Sequence, residues 1–166
     1  ERYDMQRSVR DKKYKYIRYY EFPKPFIQYM NTPEQGEIMQ SIRSSYANGT
    51  LPEAGVKLMA LKKPVEELFD LEKDPQELND VSAKVEYKEV LDKMRQAHKD
   101  WSVKIADAGL IPEPILREWE TKYNKPIYNI LRENDIPIDK IQEVALGSDI
   151  NLFTKNLSHK NEVVRY

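Results

Sequence analysis

The 166 residues have room for one ordinary domain or a small domain with an appendage, and a hydrophobic content of 40% excludes global disorder. Basic and acidic residues nearly cancel, 27 against 28, so no whole-chain field draws the protein to nucleic acid or to an anionic membrane. The absence of cysteine removes disulfides, thiolate metal sites and a cysteine nucleophile, and no apolar run approaches the length of a membrane span.

Residues 1–20 read as a β-hairpin. Tyr3, Met5, Arg7 and Val9 alternate with Asp4, Gln6, Ser8 and Arg10, and the polar corner Asp11-Lys12-Lys13 leads into Tyr14-Lys15-Tyr16-Ile17-Arg18-Tyr19-Tyr20. Pro23 and Pro25 end the second strand. Thr32-Pro33-Glu34-Gln35 predicts a helix start with a threonine cap and proline in the first turn. Ile38, Met39, Ile42 and Tyr46 mark its apolar face, and Asn48-Gly49 its left-handed stop. Val56-Lys57-Leu58-Met59 is a candidate short strand, and Leu68–Leu71 a further one. A long helix is predicted from about Lys84 to Ala108. Tyr87, Leu91, Met94, His98, Trp101, Ile105 and Ala108 make a continuous stripe along it, and Gly109 closes it. After Pro112 and Pro114 come short helical stretches at about Glu113–Tyr123, Pro126–Glu133, Ile138–Leu146, Ile150–Asn156 and Asn161 to the end. Breaks are expected at Asn124, Pro137, Gly147-Ser148 and Ser158. The expected organisation is a domain over 1–109 and a helical appendage over 110–166. With Glu1 at one end and an uncapped apolar pattern at the other, the chain is expected to be part of a longer protein.

Three groups of residues are candidate sites. Asp70, Glu72 and Asp74 have the spacing that opens a calcium loop, but Pro75 stands where that loop needs glycine and Val81 where it needs glutamate. A structural reading also fits: Asp74-Pro75 initiates a turn, Glu77 and Asp80 lie near the start of the following helix where its dipole favours anions, and Asn79, Asp80 and Ser82 are candidate caps. In the hairpin, Arg2, Arg7, Arg10, Lys12, Lys13, Lys15 and Arg18 outnumber the acids. They combine with Tyr14, Tyr16, Tyr19 and Tyr20 into a possible polyanion or nucleic-acid face, or into a plain strand pair with tyrosines inward. His98 falls on the apolar stripe and His159 in a distant loop, so the two make no zinc site. Asn48-Gly49-Thr50 and Asn156-Leu157-Ser158 match the glycosylation acceptor pattern.

Arg7-Ser8-Val9-Arg10-Asp11-Lys12-Lys13-Tyr14-Lys15-Tyr16-Ile17-Arg18 resembles the R-x-V-R-x-x-x-Y-K-Y-I hairpin of the sulfatase family's C-terminal subdomain. Glu67 to Asn79 resembles the same subdomain's E-L-Y-D-L-x-x-D-P-x-E-x-x-N-L signature, with Phe69 in the tyrosine position. The Pro64-Val65-Glu66-Glu67-Leu68 lead-in is similar to heparan N-sulfatase-like members (N-sulfoglucosamine sulfohydrolases), and the tail is similar to HEAT-type helical repeats. The resemblance covers about residues 1–108. It implies an α+β fold: a small four-stranded antiparallel sheet crossed by the long helix, followed by an all-α tail.

It further implies a C-terminal part of a hydrolase of sulfuric esters or sulfamates on sulfated glycans, glycosaminoglycans among them, from a periplasmic or secreted parent. The family's formylglycine comes from C/S-x-P-x-R, which no serine here begins. Formylglycine and calcium are therefore expected in an N-terminal sulfatase domain outside this chain, and no catalytic residue, metal ligand or cofactor is assigned within it. The expected partners are that domain and a sulfated sugar, without nucleic acid or membrane. Arg7, Arg10 and Lys13 are candidate substrate-lip residues on the strength of their charge. The alternative is a stand-alone module gripping a polyanion or nucleic acid with the Tyr/Arg hairpin.

Overall fold

The computed structural model describes residues 3–134, 136–147 and 149–165. Glu1 and Arg2 of the expected hairpin, Ser148 of the expected break and Tyr166 of the last helical stretch lie outside the described residues. The chain divides into two units, Glu1–Met94 and Arg95–Tyr166.

In the first unit, β1 (Gln6–Arg10), β2 (Tyr14–Tyr19) and β3 (Glu66–Asp70) form an antiparallel sheet in the order β1-β2-β3. Asp11 makes the hairpin corner: its Oδ1 accepts the N–H groups of Lys13 at 2.8 Å and Tyr14 at 2.7 Å. Those two bonds hold its carboxyl below the usual carboxylate range. Tyr16 stands opposite Val9 on one side and Leu68 on the other. Tyr16 and Leu68 are buried with Val81, Tyr87, Leu91 and Met94.

The sheet has three strands among the described residues, not the expected four. Val56–Met59 is not a strand: Glu53–Val56 is helix α3 and Lys57–Met59 a 3-10 turn. Pro52 presets the first turn and Glu53 follows it, so a helix start overrides one period of alternation. The outer edge of β3 is nonetheless closed. Leu68 N–H donates to Asp80 Oδ1 at 2.9 Å, and Leu68 carbonyl accepts Val81 N–H at 2.8 Å. A loop thus takes the place that a fourth strand would pair with.

The helix expected from Thr32 is divided into α1 (Asn31–Glu34) and α2 (Glu37–Ala47). Thr32 is not the cap; extended Met30 precedes α1 and extended Gly36 precedes α2. A Cβ at Gly36 would stand 3.2 Å from Pro33 carbonyl, a closeness that suits glycine at the break. Gly49, at φ 68°, ends α2 as expected. No residue of α2 is buried; on its apolar face Ile38 is 80% exposed and Tyr46 is exposed, while Met39 and Ile42 are half-buried.

The long helix α4 runs Lys88–Ile105 after a 3-10 turn at Val85–Tyr87. Its N-terminal stripe of Tyr87, Leu91 and Met94 belongs to the sheet core. Farther along, His98 and Ser102 are buried whereas Trp101 is 43% exposed. Each four-residue step from Met94 to His98 to Ser102 turns the buried line by about 40°, which leaves Trp101 at its border. The helix ends earlier than expected, at Ala106 with φ 54°. Ala106 N–H donates to Val103 carbonyl and Asp107 N–H to Ser102 carbonyl, both at 3.0 Å, the paired bonds of a Schellman stop. Gly109 instead lies in a 3-10 turn over Ala108–Leu110.

In the second unit α5 (Glu113–Tyr123), α6 (Ile127–Glu133), α7 (Ile138–Leu146), α8 (Ile150–Asn156) and α9 (Glu162–Arg165) follow in series. Pro112, Pro126 and Pro137 stand before the first three, and Asn124 ends α5 in the left-handed conformation. Helices this short bury their stripes only jointly. Ile111, Trp119, Ile130, Leu131, Ile138, Ile141, Val163 and Val164 form one core, with Trp119 Nε1 donating to Glu162 at 3.0 Å. No helix among the described residues is long and apolar enough to cross a membrane.

Candidate functional site

The sheet has two unlike faces. Strand alternation sends Tyr14, Tyr16 and Arg18, with Glu66, Leu68 and Asp70, toward the Tyr87–Met94 side. Ile17 and Tyr19, with Glu67 and Phe69, face the other way, onto a concavity of about 700 Å3. Glu53–Leu58 wall one side of it and Glu77–Asn79 another. At its floor, Glu67 Oε2 accepts the Tyr19 hydroxyl at 2.6 Å, and Oε1 pairs with Lys57. Lys57 Nζ also lies 5.2 Å from the centre of the Phe69 ring. Tyr19 meets Phe26 edge-on at 5.5 Å. Burial, followed by the hydrogen bond to Glu67, pushes the Tyr19 hydroxyl far above the usual phenol range. Tyr19 therefore acts as a donor to one Glu67 oxygen, while the Lys57 charge stands against the other. The arrangement clamps the Lys57 segment onto the sheet.

None of the three lip candidates lines this concavity. Arg7 and Arg10, three residues apart on β1, fall on opposite faces, opposite Arg18 and Lys15 respectively. Arg7 Nη1 donates to Gln6 carbonyl at 3.0 Å. Lys13 sits at the corner with Nζ 2.9 Å from Glu72 and 5.5 Å above the Tyr14 ring; the Glu72 hydrogen bond raises its pKa. Arg10 is the exposed member of the three. Three of the hairpin tyrosines are committed inward: Tyr16 and Tyr19 are buried, and Tyr14 packs edge-on against Tyr87 at 6.3 Å. These three rings offer no stacking platform to a nucleic acid.

The acidic stretch after β3 is structural wiring. Asp70 Oδ2 accepts the Tyr87 hydroxyl at 3.1 Å, and Tyr87 in turn accepts Lys73 Nζ at 2.9 Å. Asp74 Oδ2 accepts Asn79 N–H at 2.6 Å. Asp80 does not cap α4; its Oδ1 takes the N–H groups of Leu68 and Ser82, both at 2.9 Å. Among the described residues no three His, Asp or Glu side chains converge as a metal cradle. Without a cysteine or a Ser-x-Pro-x-Arg, no residue here fits a formylglycine precursor either. His98 is buried, and His159 Nδ1 accepts Asn161 N–H at 3.1 Å. Of the two acceptor patterns for glycosylation, Asn48 is exposed, whereas Asn156 is buried with Nδ2 bonded to Leu152 carbonyl at 2.7 Å.

Sequence reasoning passed over Tyr19, Lys57 and Asn79 as members of one concavity. The available signal was Glu67, a carboxylate inside an apolar strand, which demands a buried partner.

No family profile matches the chain. It is 32% identical over 126 residues, 75% of its length, to a protein of Formosa agariphila described as an ulvan-active sulfatase. That stretch is 21% of the relative, so the chain spans about a fifth of the length of the protein it matches. The similarity is to a sulfatase-related region.

Proposed function

We propose that this chain is the accessory C-terminal part of a sulfatase-type hydrolase acting on a sulfated glycan, and that it is inactive alone. The 126-residue similarity carries this reading. The hairpin and the strand–turn–helix built from the two motifs support it. The nucleophile, a formylglycine, and the divalent-cation ligands then belong to an N-terminal domain of the parent, in a periplasmic or secreted setting. Within the chain, Arg10 is the most exposed of the three lip candidates and the one we place nearest an anionic sugar, with Lys13 at the adjoining corner and Arg7 on the other face of β1. HEAT-like character for the tail is part of the same proposal.

Sulfate release from ulvan and from heparan sulfate, followed by ion chromatography, tests the reading. The full-length gene product is expected to release sulfate from one of these polymers and this chain none. Release by the chain alone, or none by the full-length product on a panel of sulfated sugars, would reject it. In the full-length product Arg10→Ala should raise KM with kcat little changed; equal losses in both would remove Arg10 from the rim.

A further inference from the structure

The fold leaves an aromatic and cationic patch on the second unit that its core does not use. Arg132 Nη2 donates to Ile105 carbonyl at 2.8 Å, and Nη1 to Tyr128 carbonyl at 3.0 Å. Its guanidinium carbon lies 3.7 Å from the centre of the Tyr128 ring. Tyr128 is 63% exposed. Trp101, one turn before Ile105 on α4, is also exposed and about 6 Å farther along the axis. Lys104, three residues on, makes no ion pair among the described residues, and the Arg132 guanidinium donates to two carbonyls rather than to carboxylates. The described acids nearest in sequence are occupied: beside Lys104, Asp100 takes the Gln96 amide at 2.7 Å and Asp107 is buried and receives Gly109 N–H at 3.0 Å; beside Arg132, Glu133 pairs with Lys125 at 2.5 Å. Among the described residues Arg132 is thus held at the helix end against an open Tyr128 ring with no carboxylate partner, and Trp101 and Lys104 stand exposed on the last turn of the same helix.

We infer that Trp101, Tyr128, Lys104 and Arg132 bind a sulfated polysaccharide chain, an inference that rests on the proposed function above. The C–H face of a pyranose ring is apolar and lies flat on an indole or phenol ring. A sulfate half-ester is met by a guanidinium in a fork and by an ammonium as a point charge. A neutral sugar would leave the cations idle, and an uncharged protein surface would leave them buried without partners.

The test uses the whole chain. Its two tryptophans differ, Trp119 buried and Trp101 exposed, so quenching of the solvent-exposed emission reports on the patch. Titration with ulvan at low salt should give saturable quenching that weakens with added salt. Chemically desulfated ulvan should bind at least about tenfold more weakly. Trp101→Ala and Lys104→Ala, read by calorimetry, should each weaken ulvan binding, the former about tenfold or more, with melting temperatures close to wild type. Arg132→Lys, which keeps the charge, separates stacking from charge and should lose less than Arg132→Ala.

Four results would overturn the inference: no ulvan binding at low salt; equal affinity for the desulfated polymer; tighter binding of single-stranded DNA; or a dimer in sedimentation that Trp101→Ala dissociates. Sulfate release by the full-length product without binding by the chain would sink this inference and spare the proposed function. Binding without release on any sulfated sugar would do the reverse.

Discussion

At the residue scale, the two tryptophans exchange the roles their sequence contexts suggest. Trp101 sits in a stripe of apolar residues yet is 43% exposed, whereas Trp119, flanked by Glu118 and Glu120, is 6% exposed and bonded to Glu162. Trp119→Ala should cost about 3–5 kcal/mol, and Trp101→Ala less than about 1 kcal/mol. Urea unfolding of both variants checks this, and a reversed order would mean that the burial assigned here is wrong. Lys63 is a second case. Its Nζ reaches both Asp4 oxygens, at 2.6 and 2.5 Å, and Glu21 carbonyl at 3.3 Å, with its side chain 1% exposed. Lys63→Ala should cost about 2–4 kcal/mol, because a hole and an orphaned carboxylate remain.

Asp70 ties stability to pH. Burial opposes its ionisation, but the Tyr87 hydroxyl, Lys73 N–H and the Lys73 and Lys13 charges outweigh it and lower its pKa. A folded value below the unfolded one, about 3.9, gives stability that is complete above that value and fades as pH falls through the folded one. Asp70→Asn should therefore destabilise the chain at pH 7, with the difference from wild type shrinking below about pH 4. A difference that grows in acid would contradict the assignment.

At the element scale, what reads from the sequence is what alternation or a proline dictates locally. The hairpin, β3 and the starts of α5, α6 and α7 lie where period two, Pro112, Pro126 and Pro137 put them. Features set by three-dimensional accommodation did not read. Ala106 takes the left-handed stop expected at Gly109, and Asp80 reaches back to β3 rather than forward to α4. Each gives a prediction. Ala106→Gly should stabilise the chain by about 0.5–1 kcal/mol, since a Cβ at positive φ is strained. Asp80→Ala should cost about 1–2 kcal/mol by freeing the Leu68 N–H, and faster amide exchange at Leu68 is the specific sign. The concavity under Lys57 was illegible for a related reason: Tyr19 and Glu67 are 48 residues apart and meet through the packing of β2 on β3, and Lys57 reaches them from a 3-10 turn outside the sheet.

At the scale of the whole molecule, two units with separate cores make up a chain that is similar over 126 residues to part of a sulfatase. The account's central claim is that catalysis resides in the remainder of a longer hydrolase and that these 166 residues support it. Sulfate released from ulvan and heparan sulfate by the full-length gene product, measured beside this chain alone under identical conditions, tests that claim most directly. The account predicts turnover of one polymer by the full-length product and none by the chain. Turnover by the chain alone, or a full-length product inert toward every sulfated sugar offered, would contradict it.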